Sequence, residues 1–263
     1  MSLQPEQPKK QTMAQQFGMI NIRGNVGDIT YVRSEDGYLV RRKSSLNKEK
    51  VMTDKRFTNT RRVMSEFGYA AQAGKLVRIA VINCLKNIGD SKLHPRMLKK
   101  MMAVLATDTV SAWGKRIPQL GNLRLLEGFE FNRKNELIHT LLVQYKANIN
   151  RAAGVASIDI PAFEPSDVLL IPEGATHFCL VSAACELDFD TLKSKPVNVE
   201  SDSYAIGRVE VPAFTLEHTI TPGSLLPIVL VLGIRFFEQT NGKLNQLNAD
   251  GFNAVRIVKM DQL

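Results

Sequence analysis

A change of pattern after Gly114 places the strongest constraint on how this 263-residue chain can fold. Before Gly114, apolar residues recur at three- and four-residue steps, which is the spacing of amphipathic helices. After it, glycine and proline punctuate the chain and β-branched and aromatic residues alternate with polar ones. Short strands separated by turn signals are typical of a jelly-roll or Ig-like β-sandwich rather than of a parallel α/β sheet. The sequence therefore predicts an α+β chain, with an antiparallel β-sandwich behind a helical front part.

The front part is predicted to contain an arm, a β-hairpin and a helical hairpin. Residues 1–18 are rich in Gln, Pro and Lys and predict a flexible arm. Residues 28–33 and 38–42 alternate around a turn containing Gly37, which favours a β-hairpin. The predicted domains are the flexible arm at 1–18, a basic β-hairpin plus helical domain at 19–126 and a β-sandwich domain at 127–263.

Two helices are predicted to pack against each other as an antiparallel hairpin. The first spans 61–88 and ends at Gly89, and the second runs from Pro95 to Trp113. Gly68 and Gly74 weaken the first helix, so we expect another backbone to approach closely there. The predicted inner face of the first helix comprises Met64, Phe67, Ala71, Gly74, Val77, Val81, Cys84 and Ile88.

The rear part carries eight predicted strands and one internal repeat. Residues 158–163 (IDIPAF) recur as residues 209–214 (VEVPAF), each copy predicted to end a strand and to precede a long apolar strand. Two hypotheses explain the repeat: a duplication that produced two related halves, or a chance match. The strands are predicted near 128–132, 142–150, 155–161, 177–183, 185–189, 205–214, 228–238 and 252–259.

Charge is distributed unevenly along the chain. Residues 1–124 contain 23 Lys/Arg and 9 Asp/Glu, whereas residues 125–263 contain 11 and 17, so net charges of +14 and −6 make up the total of +8. This asymmetry predicts either an anionic partner for the front or attraction between the front of one copy and the back of the next. The densest basic run is predicted as an anion or nucleic-acid contact, or else a solvated face: Arg41, Arg42, Lys43, Lys48, Lys50, Lys55, Arg56, Arg61 and Arg62.

Several motifs fit an ordinary structural interpretation better than a functional one. Residues 68–76 differ from a phosphate-binding loop in spacing and lack its Ser/Thr. His177 with Cys179 and Cys185 fits core cysteines better than zinc, and the acidic residues of 186–190 fit a polar strand face better than calcium. The sequence predicts no cofactor, metal, catalytic residue or small-molecule substrate. An alternative function is an enzyme whose site is assembled from scattered residues such as His94, His139 and Glu136.

Compartment is predicted from cysteine usage and from the polar first residues. Three cysteines without a CxxC pair, together with no apolar signal-peptide core, favour a cytoplasmic protein or one exported without a signal peptide. The longest apolar stretch, 225–234, is interrupted by Pro227 and is too short for a membrane span, so no membrane partner is expected. We interpret this stretch as a core strand buried on both faces.

Both ends of the chain carry distinctive segments: GNVGDITY, DGYLVRRK and TRRVMSEFGYAAQAGKLVR near the N-terminus and LGIRFFEQTNGK near the C-terminus. These segments resemble a group of uncharacterised proteins of Bacteroidetes-type bacteria. The resemblance implies no activity, ligand or site residue.

The leading prediction is a non-enzymatic structural subunit that assembles with copies of itself into a filament, tube or shell. Arm or strand exchange and attraction between the basic front and the acidic back would join the copies. The alternative is a non-specific nucleic-acid-binding protein that uses the basic stretch 41–62.

Overall fold

The computed structural model describes residues 14–15, 22–34, 37–43, 47–86, 88, 90–247 and 253–263. Its strand pairs are antiparallel, and its two long helices precede the rear sheets instead of alternating with their strands. The α+β class is therefore confirmed. The chain divides into two units, Met1–Thr58 and Asn59–Leu263, at a point within the segment predicted as one basic domain. The predicted arm lies outside the described residues except for Ala14–Gln15.

The first unit is a small antiparallel sheet followed by a short helix. The predicted hairpin is confirmed by strands Ile29–Ser34 and Gly37–Arg42, although residues 35–36 of its turn lie outside the described residues. In the sheet the strands are ordered β1-β4-β3-β2. The elements of this unit are β1 (Ala14–Gln15), β2 (Gly24–Val26), β3 (Ile29–Ser34), β4 (Gly37–Arg42), helix α1 (Lys48–Thr53) and a 3₁₀ turn (Lys55–Phe57).

The second unit begins with two long helices, which are shorter than predicted. The first, α2 (Thr58–Ala80), gives way to hydrogen-bonded turns, and its predicted end at Gly89 falls outside the described residues. The second, α3 (Leu93–Ala106), stops before Trp113 because the Asp108 carboxylate accepts backbone N–H groups of the following turn. The other helices of this unit are 3₁₀ turns at Pro118–Leu120 and Leu123–Leu126 and the short helices α4 (Leu137–Thr140) and α5 (Pro165–Val168).

One six-stranded and one three-stranded sheet follow. Strand β11 lies beside β7 in the larger sheet, whose order is β12-β11-β7-β8, with β13 pairing to β11 and β9 to β7. The smaller sheet has the order β10-β6-β5. The strands are β5 (Lys146–Asn150), β6 (Val155–Ile160), β7 (His177–Asp188), β8 (Lys193–Glu200), β9 (Tyr204–Ala205), β10 (Phe214–Thr219), β11 (Ile228–Thr240), β12 (Lys243–Gln246) and β13 (Ala254–Asp261).

The central strands of the larger sheet, β7 and β11, are buried on both faces, which explains their continuous apolar sequences. Successive side chains of a strand point to opposite faces. Cys185 and Val231 therefore join the core shared with α2 and α3, whereas Leu180 and Leu230 join the core shared with the smaller sheet. The apolar stretch predicted as a core strand buried on both faces is confirmed over 228–234, while Leu225 before it is exposed.

The two copies of the internal repeat are neighbours. Ile160 pairs with Phe214 in the ladder between β6 and β10, and Phe163 pairs with Val211 just beyond it. The long strands β7 and β11 follow the two copies as predicted and also pair with each other. The first copy ends a strand, but the prediction is wrong for the second, which precedes β10.

Other strand predictions need correction. The segments 177–183 and 185–189 form the single strand β7, and the predicted strand at 128–132 is an isolated bridge from Glu130 to Arg256. Residues 205–214 do not form one strand, because Ala205 ends β9 and Phe214 begins β10. The edge strands β8 and β12 were not predicted.

Candidate association site on helix α2

Toward the C-terminal end of α2 the buried face includes Gly74 and Val77, as predicted, but toward the N-terminal end it differs from the predicted inner face. Counting back from Val77 at 3.6 residues per turn leads through Ala73 and Ala70 to Glu66, and these residues are buried. Together with Ala80 they form what we call the buried ridge. The residues of the predicted inner face are spaced, on average, by less than one helical turn. Along the helix the predicted face therefore rotates away from the buried ridge.

The apolar residues near the start of α2 are consequently exposed. Val63, Met64 and Phe67 each keep about half of their surface accessible, and the prediction that Met64 and Phe67 face inward is wrong. With Asn59 and Thr60 these three side chains line an open pocket of about 590 Å³. We call Val63, Met64 and Phe67 the apolar stripe.

Polar contacts on the adjacent face hold this end of α2 in place. The buried Glu66 carboxylate accepts the backbone N–H of Gly114 at 2.7 Å and lies 3.6 Å from the Arg116 guanidinium. Arg62, one helical turn before Glu66, stacks over the Trp113 ring at 5.4 Å. Gly114 adopts φ +93° against Arg62, where a Cβ would lie within 3.0 Å of three Arg62 atoms. The apolar stripe therefore lies on a helix whose N-terminal end is held in place by these contacts.

The basic stretch is divided between the two units. Within the first unit, Arg41, Arg42 and Lys43 are exposed at the end of β4, and Lys48 and Lys50 are exposed on α1.

The remaining members of the stretch follow α1. Lys55 and Arg56 are exposed in the 3₁₀ turn, where Arg56 pairs with Asp54 at 2.7 Å and lowers the pKa of that carboxyl to about 2. Arg61 and Arg62 lie on α2 in the second unit, Arg61 partly buried and Arg62 exposed. Eight of the nine predicted contacts are thus exposed to solvent.

The residues named as an alternative enzyme site do not form one cluster. Glu136 and His139 are close, with 3.4 Å between Oε2 and Nε2, and both are solvent-accessible on α4 or at its N-cap. His94, on α3, instead places Nδ1 3.3 Å from Arg78. These pairings are those of ordinary surface ion pairs and hydrogen bonds.

The cysteines lie in the core shared by the helices and the larger sheet. Burial raises the pKa of Cys84 to about 12 and that of Cys179 to about 11, and it also raises the pKa of Cys185. The Cys185 thiol donates to the carbonyl of Ala80 at 3.1 Å. At neutral pH these thiols are protonated and are therefore poor nucleophiles.

The acidic residues at the end of β7 support structure. Glu186 was predicted on an outward polar face, yet it is buried and accepts from the Thr221 N–H and the Ser224 hydroxyl, each at 2.8 Å. The Asp188 carboxylate accepts three hydrogen bonds from the next turn, two of them from Thr191. In the described ranges, no three His, Cys, Asp or Glu side chains form a group that could hold a metal ion.

His218 is one of the buried polar residues that the sequence did not predict. His218 on β10 faces the same side as Leu216, fully buried, with Nδ1 3.2 Å from the carbonyl oxygen of Ala156. Burial lowers the pKa of this imidazole. The alternation of Leu216 and His218 with charged and polar neighbours is the signal that could have placed it inside.

Of the helices in the described parts of the chain, none has both the length and the apolar composition needed to cross a membrane. No protein-family model matches the sequence, and no curated protein matches it. Function must therefore be inferred from this chain's own residues.

Proposed function

We propose that this protein is a non-enzymatic structural subunit that assembles with copies of itself into a filament, tube or shell. The observation that carries the proposal is the apolar stripe, three half-exposed apolar side chains at helical spacing around an open pocket. Single exposed apolar residues are common on soluble proteins, whereas neighbouring ones on one helical face form a candidate interaction surface.

The partner we infer for the stripe is a second copy of the chain. Arg61 and Arg62 flank the stripe, so pairing it with the same surface of another copy would bring like charges together. An acidic surface is the better complement, and the rear of the chain exposes many carboxylates. They include Glu164, Asp167, Glu173, Asp202, Glu210, Glu217 and Glu238.

A contact between two different surfaces of identical chains is heterologous. Such a contact produces a ring when the rotation closes and an open filament when it does not. The two facing sheets of the rear part would then act as a rigid jelly-roll-like or Ig-like body that spaces the contacts.

Strand exchange through the arm is the second element of the proposal. In the described part of the first unit, β1 pairs only with Leu39 and Val40 of the six residues of β4. Strand addition by a neighbouring copy along this edge of β4 would join two chains. Deletion of residues 1–18 is therefore expected to weaken assembly, and wild-type assembly by the truncated chain would exclude a role for the arm.

Charge substitutions in the stripe test the proposal. Phe67→Glu places a carboxylate in the stripe, and Ile138→Glu is its matched control, because Phe67 is 51% and Ile138 49% exposed. We expect Phe67→Glu to reduce the particle mass toward the 29.3 kDa of one chain while Ile138→Glu leaves it unchanged. Light scattering after size exclusion measures the mass, and thermal unfolding checks that both variants fold. Assembly of Phe67→Glu like the wild type would contradict the proposal.

Non-specific nucleic-acid binding remains the alternative, favoured by the exposure of eight of the nine basic residues in 41–62. Its signature is duplex DNA affinity that falls steeply with salt. Arg41→Glu with Arg42→Glu should abolish this binding, while Lys99→Glu with Lys100→Glu on α3 should reduce it only slightly. Absence of binding at low salt would exclude the alternative.

A further inference from the structure

A second groove lies at the other end of α2, where the helix passes the turn between β7 and β8. It has a volume of about 530 Å³. One helical face and the turn supply its walls, with residues of the helix at the i, i+3, i+4, i+7 spacing of a single face. The lining residues are Gln72, Lys75, Leu76, Ile79, Leu192, Lys193 and Ser194.

The turn residue Leu192 is unusual in this groove. Its φ of 55° lies in the left-handed region, which L-residues with a Cβ avoid and which glycine or asparagine adopts easily. The hairpin between β11 and β12 in the same sheet uses Asn241 and Gly242, at φ 54° and 77°. Leu192 nevertheless leaves 45% of its surface exposed, so burial in the core does not explain a leucine there.

The turn around Leu192 is held firmly. Asp188 accepts hydrogen bonds from the backbone N–H groups of Asp190 and Thr191 and from the Thr191 hydroxyl. Gln119 donates to the Asp190 carboxylate at 2.7 Å. A strained residue that its neighbours fix in place, at the edge of a groove, indicates a functional use of its side chain.

The chemistry of the lining indicates the kind of ligand. Leu76, Ile79 and Leu192 give apolar contacts, while Lys75 and Lys193 place two exposed ammonium groups beside them. Neither lysine takes part in an ion pair within the described residues. The helix between positions 72 and 79 is about 10 Å long, which suits an alkyl chain of medium length.

We infer that the groove between α2 and the β7–β8 turn binds an amphipathic carboxylate, a fatty-acid-type molecule with an anionic head and an unbranched alkyl chain. The lysines bind the head, and Leu192 closes over the chain. This inference is independent of the proposed self-assembly, because its lining residues are separate from the apolar stripe.

Decanoate is the probe that tests this assignment on the full-length chain. We expect calorimetric titration to show saturable binding of decanoate, with no binding of acetate, which lacks the chain, and weaker binding of decanol, which lacks the charge. In an NMR spectrum the methyl signals of Leu192 and Ile79 should shift during the same titration. No saturable binding, or equal binding of decanol, would overturn the assignment.

Relief of backbone strain provides the sharper test. Leu192→Gly should raise the thermal midpoint and weaken decanoate binding by about tenfold, since it removes a leucine contact with the alkyl chain. Asn241→Gly is the control, because it changes a residue at nearly the same φ in the other hairpin and should leave binding unchanged. If Leu192→Gly keeps wild-type affinity, or changes only the particle mass while decanoate never binds, the groove is not a carboxylate site.

Discussion

Both ends of helix α2 carry apolar side chains, and the two ends differ in what covers them. Toward the C-terminus, Ala73, Val77 and Ala80 are buried against α3 and the larger sheet. Toward the N-terminus, Val63 and Phe67 stay half exposed and only the polar anchor at Glu66 is buried. The difference shows that helical amphipathicity identifies a surface that needs a partner, without showing whether that partner is the same chain or another.

Truncating one methionine in each environment should give the largest contrast. Met101 on α3 is fully buried in the core that α2 shares, whereas Met64 is 50% exposed. We expect Met101→Ala to lower the free energy of unfolding by about 2–5 kcal/mol, because it leaves a cavity. Met64→Ala should change it by less than about 0.5 kcal/mol. Urea unfolding measures both, and equal losses would show that the stripe is also part of the core.

Loss of the Glu66 anchor should have the next largest effect. Glu66→Ala leaves the backbone N–H of Gly114 without its acceptor, and an unsatisfied buried donor costs about 1–3 kcal/mol. Ser65→Ala, at the exposed neighbouring position, should be close to neutral. The same urea titrations apply, and a neutral Glu66→Ala would mean that the stripe end of α2 is not held by this contact.

The contrast between buried and exposed groups extends to histidine titration. Burial lowers the pKa of His218, so below pH 6.5, its ordinary value, the unfolded chain binds a proton that the folded chain does not. The free energy of unfolding should therefore decrease as pH falls from neutral toward 5, by at most about 1.4 kcal/mol per pH unit.

Variants separate this effect from other titrating groups. His218→Gln should reduce the decrease between neutral pH and about pH 5, where carboxylates with ordinary pKa values remain ionised. His139→Gln, which changes an exposed imidazole, should retain it. A wild-type stability that is constant over this range would show that His218 is not kept neutral by burial.

Two glycines of α2 should give the smallest contrast. A Cβ at Gly68 would meet no atom of the described residues within 4 Å, whereas one at Gly74 would lie 3.0 Å from Cγ of Met97. Gly68→Ala should stabilise the chain by about 0.5–1 kcal/mol through helix propensity. Gly74→Ala should give less than this gain, because Met97 must move. Thermal unfolding compares the two, and a larger gain at Gly74 would contradict the close approach of α3.

Elements with strong local signals were predictable from the sequence. The hairpin of β3 and β4 follows from alternation around Gly37, and the long strands β7 and β11 follow from apolar runs that need cover on both faces. Another backbone was predicted to approach both glycines closely, but at Gly74 the close atom belongs to the Met97 side chain, and at Gly68 no atom of the described residues lies close.

Elements stabilised by their neighbours were not predictable. Strand β8 is polar and contains Pro196, which a strand tolerates at a sheet edge because its missing N–H faces away from the ladder. The buried ridge could not be recognised from the sequence because it contains Glu66, and a charged residue is expected to be exposed. Its hydrogen-bond donor, the backbone N–H of Gly114, is distant in sequence. Likewise the groove beside Leu192 joins segments more than a hundred residues apart, so no local pattern could indicate it.

The mass of the wild-type particle tests the central claim most directly. Nuclease-treated protein would be measured by light scattering after size exclusion, with absorbance recorded at two wavelengths to detect nucleic acid. We predict a mass many times the 29.3 kDa of one chain, with the absorbance ratio of pure protein. A mass of 29.3 kDa that does not increase with protein concentration would contradict self-assembly through the apolar stripe.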